Sequence, residues 1–176
     1  MKIHKKISRY NSSGRNGEKI KYIVIHYVGA VSSAKNNCIY FGGGDRQASA
    51  HYFVDDKIWQ CIKVSKAAWH CGGGLQDYGK ETVGGNKGAT LHYICTNRNS
   101  IGIELCCEKR NGEIVPTKEA IQTAAPLVRH LMKKYGIPAE RVVRHFDVTG
   151  KCCPNGYISK KSWKKLHDYL TEGTGE

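Results

Sequence analysis

The chain is predicted to fold as an α/β domain with a mixed, mostly parallel central sheet flanked by helices. Three observations predict it. Short β-branched runs with almost no charge alternate along the chain with segments whose apolar residues recur at helical spacing. The length of 176 residues is near that of one domain and short for two. No internal repeat is visible, which argues against a solenoid.

Residues 1–20 are polar and basic, and Asn11-Ser12-Ser13-Gly14 signals a loop. Lys21-Tyr22-Ile23-Val24-Ile25-His26-Tyr27 reads as a buried strand ending at His26. Ser32 or Ser33 can cap a short helix to about Phe41, ended by Gly42-Gly43-Gly44. His51 to Asp55 and Ile58 to Ile62 form a hairpin across Asp56-Lys57. The glycine-rich stretch from Cys71 to Asn99 is mostly loop. Ser100 to Cys107 is the second strongly apolar strand.

Thr117 opens the clearest helix, with Ile121, Ala124, Ala125, Val128, Leu131, Met132 and Tyr135 at helical spacing. Gly136 and Pro138 close it, and Pro126 inside it predicts a kink. Arg141 to His145 is a short strand feeding a turn at Asp147-Val148-Thr149-Gly150. Ser159 caps a last amphipathic helix through Trp163, Leu166 and Leu170. Residues 1–170 form the folded domain on this reading. Residues 171–176 have the composition of a linker or flexible tail.

Hydrophobic residues make up 40% of the chain and charged residues 24%, which argues against disorder. No apolar run approaches the roughly 18 residues of a membrane span. No apolar segment follows the basic start, so no secretory signal is expected. The net charge is +13. Residues 1–24 and 141–165 carry nearly all of it, which draws the protein to polyanions without choosing among them. Eight cysteines include the neighbours Cys106-Cys107 and Cys152-Cys153. Adjacent strand residues point to opposite faces, so neither pair is placed to bridge itself. Most are expected to act as small apolar residues in a reducing compartment.

Three polar residues stand at, or within, the ends of apolar strands: His26, Glu104 and His145. Strand ends cluster at one edge of an α/β sheet, so the three are expected to meet. His145 and Cys153 are separated by seven residues, which requires a loop that folds back, with Gly150 permitting the turn. Two imidazoles and a thiolate suit Zn²⁺ with an open fourth position, the form of a catalytic site. Zinc brings the pKa of water to about 7. Glu104 could take the proton and return it to a leaving amine. Lys151 could stabilise an oxyanion. Asp147 is placed to orient a ligand from behind.

At these residues the chain resembles a known family. Arg144 to Pro154, read as RHFDVTGKCCP, is similar to the signature of the type 2 N-acetylmuramoyl-L-alanine amidases. These are the zinc amidases of phage endolysins and bacterial autolysins, related to peptidoglycan recognition proteins. The resemblance extends to Ile23-Val24-Ile25-His26, Ala48-Ser49-Ala50-His51-Tyr52, Ala68-Trp69-His70-Cys71-Gly72 and Ser100 to Leu105. It implies that His26, His145 and Cys153 hold Zn²⁺, that Glu104 and Lys151 are catalytic, and that Asp147 stands behind a ligand. It places His70 on the peptide-binding groove and His51 at the substrate floor, and Trp69 is read as a groove wall. Cys152 stands where the family usually has Asn or Asp, and Pro154 favours Cys153 as the ligand.

The activity implied is hydrolysis of the amide between N-acetylmuramic acid and L-alanine in peptidoglycan, by a phage or prophage endolysin. Such an enzyme is made in the bacterial cytoplasm and meets the wall once the membrane is permeabilised. Anionic wall polymers and a C-terminal wall-binding module beyond the chain are expected as further partners, with no nucleic acid and no membrane insertion. A non-catalytic peptidoglycan-binding module of the same fold is the alternative. It predicts loss of Cys153, Glu104 or Lys151, and all three are present. A Cys-His hydrolase using Cys153 as nucleophile predicts activity that survives chelators.

Overall fold

The computed structural model of the chain describes residues 1–76, 82–83 and 86–173. Twelve strands and four α-helices are defined among them. The first half holds β1 (Ile3–Lys5), β2 (Ser12–Gly14), β3 (Tyr22–Tyr27), α1 (Ala34–Gly42), β4 (Tyr52–Val54), β5 (Ile58–Gln60) and β6 (Lys66–Ala68). Two short strands follow, β7 (Thr82–Val83) and β8 (Asn86–Lys87). The second half holds β9 (Ser100–Leu105), β10 (Cys107–Arg110), β11 (Glu113–Pro116), α2 (Lys118–Tyr135), β12 (Val142–Arg144), α3 (His145–Thr149) and α4 (Lys160–Thr171).

Six strands form the central sheet in the order β1-β5-β4-β9-β3-β12. Every neighbouring pair is parallel except the β4–β5 hairpin, so the sheet is mixed and mostly parallel. Successive strand residues face opposite sides. Ile23 and Ile25 of β3, with Ile101, Ile103 and Leu105 of β9, therefore face one way. They pack against Ala124, Leu127, Val128 and Leu131 of α2 and Leu166 and Leu170 of α4. Each such fully buried aliphatic contributes about 1.5–3 kcal/mol. The other face carries Val24 and His26 of β3 and Gly102 and Glu104 of β9. One face is thus spent on the core, and the other is free to build a site.

Helix caps follow the sequence reading. Ser33 Oγ accepts from Asn36 N–H at 3.2 Å, Thr117 Oγ1 from Ala120 N–H at 3.0 Å, and Ser159 Oγ from Ser162 N–H at 3.1 Å. Gly136 ends α2 in the left-handed conformation at φ +61°. The helix runs through Pro126 rather than ending there. All eight cysteines are free. Among the described residues no helix is long and apolar enough to cross a membrane.

Several local expectations are corrected. The loop expected at Asn11-Ser12-Ser13-Gly14 is strand β2, paired antiparallel with β6, and β1 adds a parallel edge strand to β5. Both are three-residue strands that exist because a distant partner completes their hydrogen bonds. The strand from Ser100 ends at Leu105, and Cys107 begins a separate hairpin of β10 with β11. His145 does not close a strand but opens α3, which occupies the stretch expected as a turn. Thr171 is the buried last residue of α4, and residues 174–176 lie outside those described.

Candidate active site

The sheet register brings the polar strand ends together. His26 pairs with Glu104 across β3 and β9, so both side chains stand on the face away from α2. Arg144 pairs with Ile25, which sets His145 beside His26 on that same face. After α3, Gly150 adopts φ +80°, and the chain turns back. Cys153 N–H donates to Lys151 O at 2.7 Å, and Phe146 N–H donates to Cys153 O at 2.9 Å. This return carries Lys151 and Cys153 to the histidines.

A cavity of about 330 Å³ lies there, with His26, Glu104, His145, Lys151 and Cys153 in its lining and Trp69 and His70 along it. His26 Nδ1 is 3.1 Å from His145 Nδ1 and 3.8 Å from Cys153 Sγ. The three ligand atoms lie within 4.8 Å of one another, and all three residues are buried. Cys152 is turned away, its Sγ 3.8 Å from Asn155 Oδ1.

Electrostatics follow from burial. Burial holds the His26 imidazole well below its usual range, reinforced by His145, His70 and Lys151. Burial also lowers His145, to about 4. Both rings are therefore neutral near pH 7 and keep a lone pair each. Burial and the nearby Glu104 push the Cys153 thiol well up. Glu104 is raised to about 8 by burial, with Lys151 pulling the other way. Its Oε2 is buried without a hydrogen-bond partner.

The residues fit a zinc ion. Two neutral imidazole nitrogens 3.1 Å apart and a sulfur 3.8 Å from one of them are spaced like corners of a tetrahedron with bonds of about 2.0–2.3 Å. The buried His145 Nε2 makes no well-formed hydrogen bond, and the Gly72 backbone carbonyl is the polar group that interacts with this imidazole. Soft thiolate with imidazole is a donor set that zinc prefers.

The remaining sequence candidates divide. Trp69 stands on the cavity wall, with Nε1 3.4 Å from Ser13 Oγ. His70 reaches the cavity, but protein groups occupy both its ring nitrogens: His26 Nε2 at 3.0 Å and Ser100 Oγ at 3.1 Å. His51 does not form the substrate floor. It is fully buried outside the cavity lining, accepts from Gly102 N–H at Nδ1 and lies 3.0 Å from Lys66 O through Nε2. With Nδ1 accepting, Nε2 carries the proton, so His51 ties three segments together.

Asp147 touches no ligand directly. Its Oδ1 accepts from Arg144 Nη2 at 2.6 Å, and its Oδ2 accepts from Arg144 N–H and Nε. Arg144 in turn donates to Tyr157 O and Ile158 O. Asp147 thereby caps the helix whose first residue is His145. Sequence reasoning missed Ser100 and Asn97. Asn97 Oδ1 accepts from the backbone N–H groups of His70 and Cys71, which pins that loop. The one visible signal was Ser100, a polar residue opening an apolar strand.

Comparison with known proteins agrees with this geometry. The family model described as N-acetylmuramoyl-L-alanine amidase matches residues 16–156. The N-acetylmuramoyl-L-alanine amidase CwlA of Bacillus subtilis (strain 168) is 34% identical over 157 residues, covering 89% of this chain and 51% of CwlA. The chain spans about half the length of the curated relatives it matches. Among solved structures, the PlyG catalytic domain superposes with a TM-score of 0.76 at 29% identity, over 100% of this chain and 99% of that one. PlyL gives 0.72 at 28% identity, over 99% and 100%.

Proposed function

The chain belongs to the N-acetylmuramoyl-L-alanine amidase family, and from that premise we propose that it hydrolyses the amide between N-acetylmuramic acid and L-alanine in peptidoglycan, with Zn²⁺ as cofactor. The observation that carries the proposal is the meeting of His26, His145, Cys153, Glu104 and Lys151 around one cavity, from three separate parts of the chain. His26, His145 and Cys153 would hold the metal, which when bound supplies Lewis-acid activation of water and carbonyl.

The protein's own groups do the rest. Glu104 accepts a proton from the attacking water at its carboxylate and delivers it to the departing L-alanine nitrogen. Burial favours the protonated carboxyl, which helps it hold that proton before handing it on. Lys151 reaches the same cavity and brings positive charge to the oxygen that becomes an oxyanion. Trp69 offers a flat apolar wall to the glycopeptide. Arg144 and Asp147 hold the start of α3, and with it His145.

Residues 1–170 form the catalytic domain on this reading. The likeness to a mutant endolysin from Bacillus subtilis supports a lytic role in phage or prophage release. Access to the wall would then follow membrane permeabilisation. The charge of +13 supports anionic wall polymers as a second attraction, and the greater length of the curated relatives is in keeping with a wall-binding module beyond residue 176. The test is digestion of purified cell walls followed by assay of newly exposed L-alanine amino groups, with and without a chelator. Release that stops with chelator and returns with Zn²⁺ is expected. Release of reducing sugar ends instead, or lysis indifferent to chelator, would overturn the reading.

A further inference from the structure

The hydrogen bonds of His70 have directions that can be read from one end. Ser100 Oγ lies 2.5 Å from the Thr96 carbonyl, which offers only lone pairs, so the single hydroxyl proton goes there. Ser100 Oγ then has only lone pairs for His70 Nε2 at 3.1 Å, and that nitrogen must carry a proton. A neutral imidazole has one N–H, so His70 Nδ1 is bare. It faces His26 Nε2 at 3.0 Å, which must donate to it. Cys71 Sγ lies 3.4 Å from the same Nδ1 and 3.5 Å from Ser100 Oγ. As a thiol it is a second donor and leaves the direction unchanged, whereas as a thiolate it would accept from Nδ1, so a wild-type His70 protonated on Nδ1 would overturn the assignment. With Nε2 protonated, His26 keeps its lone pair on Nδ1, the atom turned toward His145 Nδ1 and Cys153 Sγ.

The backbone is shaped to admit this chain. A Cβ on Gly102 would lie 2.6 Å from His70 Cγ, so only glycine leaves the ring room over β9. Asn97 holds the His70 and Cys71 amides, and the neighbouring ring of His51 stands at 5.7 Å in an edge arrangement.

We propose that His70 is a positioning residue acting through His26: the run Thr96–Ser100–His70–His26 fixes His26 in its Nε2-protonated tautomer and so presents Nδ1 as the metal-binding atom. This rests on the metal-site reading above. It also moves His70 from a substrate contact, as the family resemblance implied, to a support of the site. Without the run, His26 divides between two tautomers, and only one offers a lone pair to the cation. Loss of such outer hydrogen bonds weakens metal binding by about 10–100-fold.

Two measurements test it. Long-range ¹H–¹⁵N NMR on the metal-free wild type reads each ring nitrogen directly and needs no variant. His26 and His70 are both expected to carry the proton on Nε2. Zinc competition titrations on His70→Phe, His70→Gln and Ser100→Ala form the second arm. His70→Phe should bind zinc about 10–100-fold more weakly. His70→Gln should recover most of that loss, because its side-chain carbonyl can accept from His26 Nε2–H. Ser100→Ala should fall between. A wild type with His26 protonated on Nδ1, or a folded His70→Phe with wild-type zinc affinity, would overturn the proposal. A wild type with the expected tautomers that binds no zinc would sink the metal reading on which it rests, and leave the hydrogen-bond directions standing.

Discussion

Replacing Glu104 by Gln separates proton transfer from packing, because the structure predicts opposite effects on activity and on stability. Glu104 Oε2 is buried and unpaired, and burial raises the carboxyl from an ordinary 4.5 to about 8. The folded chain therefore holds one more proton than the unfolded chain between those pH values. Stability from this group is complete below pH 4.5 and is lost as pH rises toward 8. By pH 7 the loss is on the order of 3 kcal/mol. Gln cannot ionise in either state, so the variant escapes the loss. In a domain of this size about 1 kcal/mol moves Tm by roughly 2–4 °C. The metal-free variant should then match wild type near pH 4.5 and melt roughly 6–12 °C higher at pH 7. Histidine titration is common to both proteins and drops out of the difference. Wall hydrolysis should fall by about 10²–10⁴-fold, the usual contribution of a positioned general base. Calorimetry across pH 4.5–7 and the amino-release assay on the same preparations decide it. A Tm gap that does not change with pH would show that Glu104 is not an unpaired buried carboxyl. Wild-type turnover by the variant would remove it as the base.

Cys153→Ser should lower zinc content sharply, whereas Cys152→Ser, whose thiol faces Asn155, should not; metal analysis of the purified variants checks this. Lys151→Ala should keep its metal and lose roughly 10²–10³-fold in turnover, as when an oxyanion donor is removed. Gly102→Ala forces a Cβ into the His70 ring, so it should cost about 1–3 kcal/mol, read as a lower denaturation midpoint, and weaken zinc binding with it. Wall lysis should decline from low to moderate salt, because the basic stretches act through screened attraction; a flat response would leave their charge as a solubility feature only.

Much of the site could be read without a structure. A histidine closing one apolar strand, a carboxylate inside another, and the fold-back from His145 to Cys153 signalled metal and proton-transfer chemistry. A buried polar group in an apolar run is costly unless it has a task. The signal failed where a residue's role lay in its partner. Asp147 read as standing behind a metal ligand, and it does so only through Arg144, which reaches on to Tyr157 and Ile158, by capping the helix that His145 opens. His51 read as a substrate residue, but Gly102 N–H and Lys66 O hold its two nitrogens.

What the sequence determined by itself was whatever is local and periodic: the apolar strands β3 and β9, the caps of α1, α2 and α4, and the residue types able to hold zinc. These follow from side-chain burial and from hydrogen bonds that close within one turn of chain. The tertiary structure alone decided the edge strand β1, the β10–β11 hairpin, the start of α3 at His145 and the run from Thr96 to His26. Each depends on a donor meeting an acceptor brought from elsewhere in the chain or across a bend. Parallel register aligns His26 with Glu104 through backbone bonds that carry no side-chain signature, so no spacing along the chain records it.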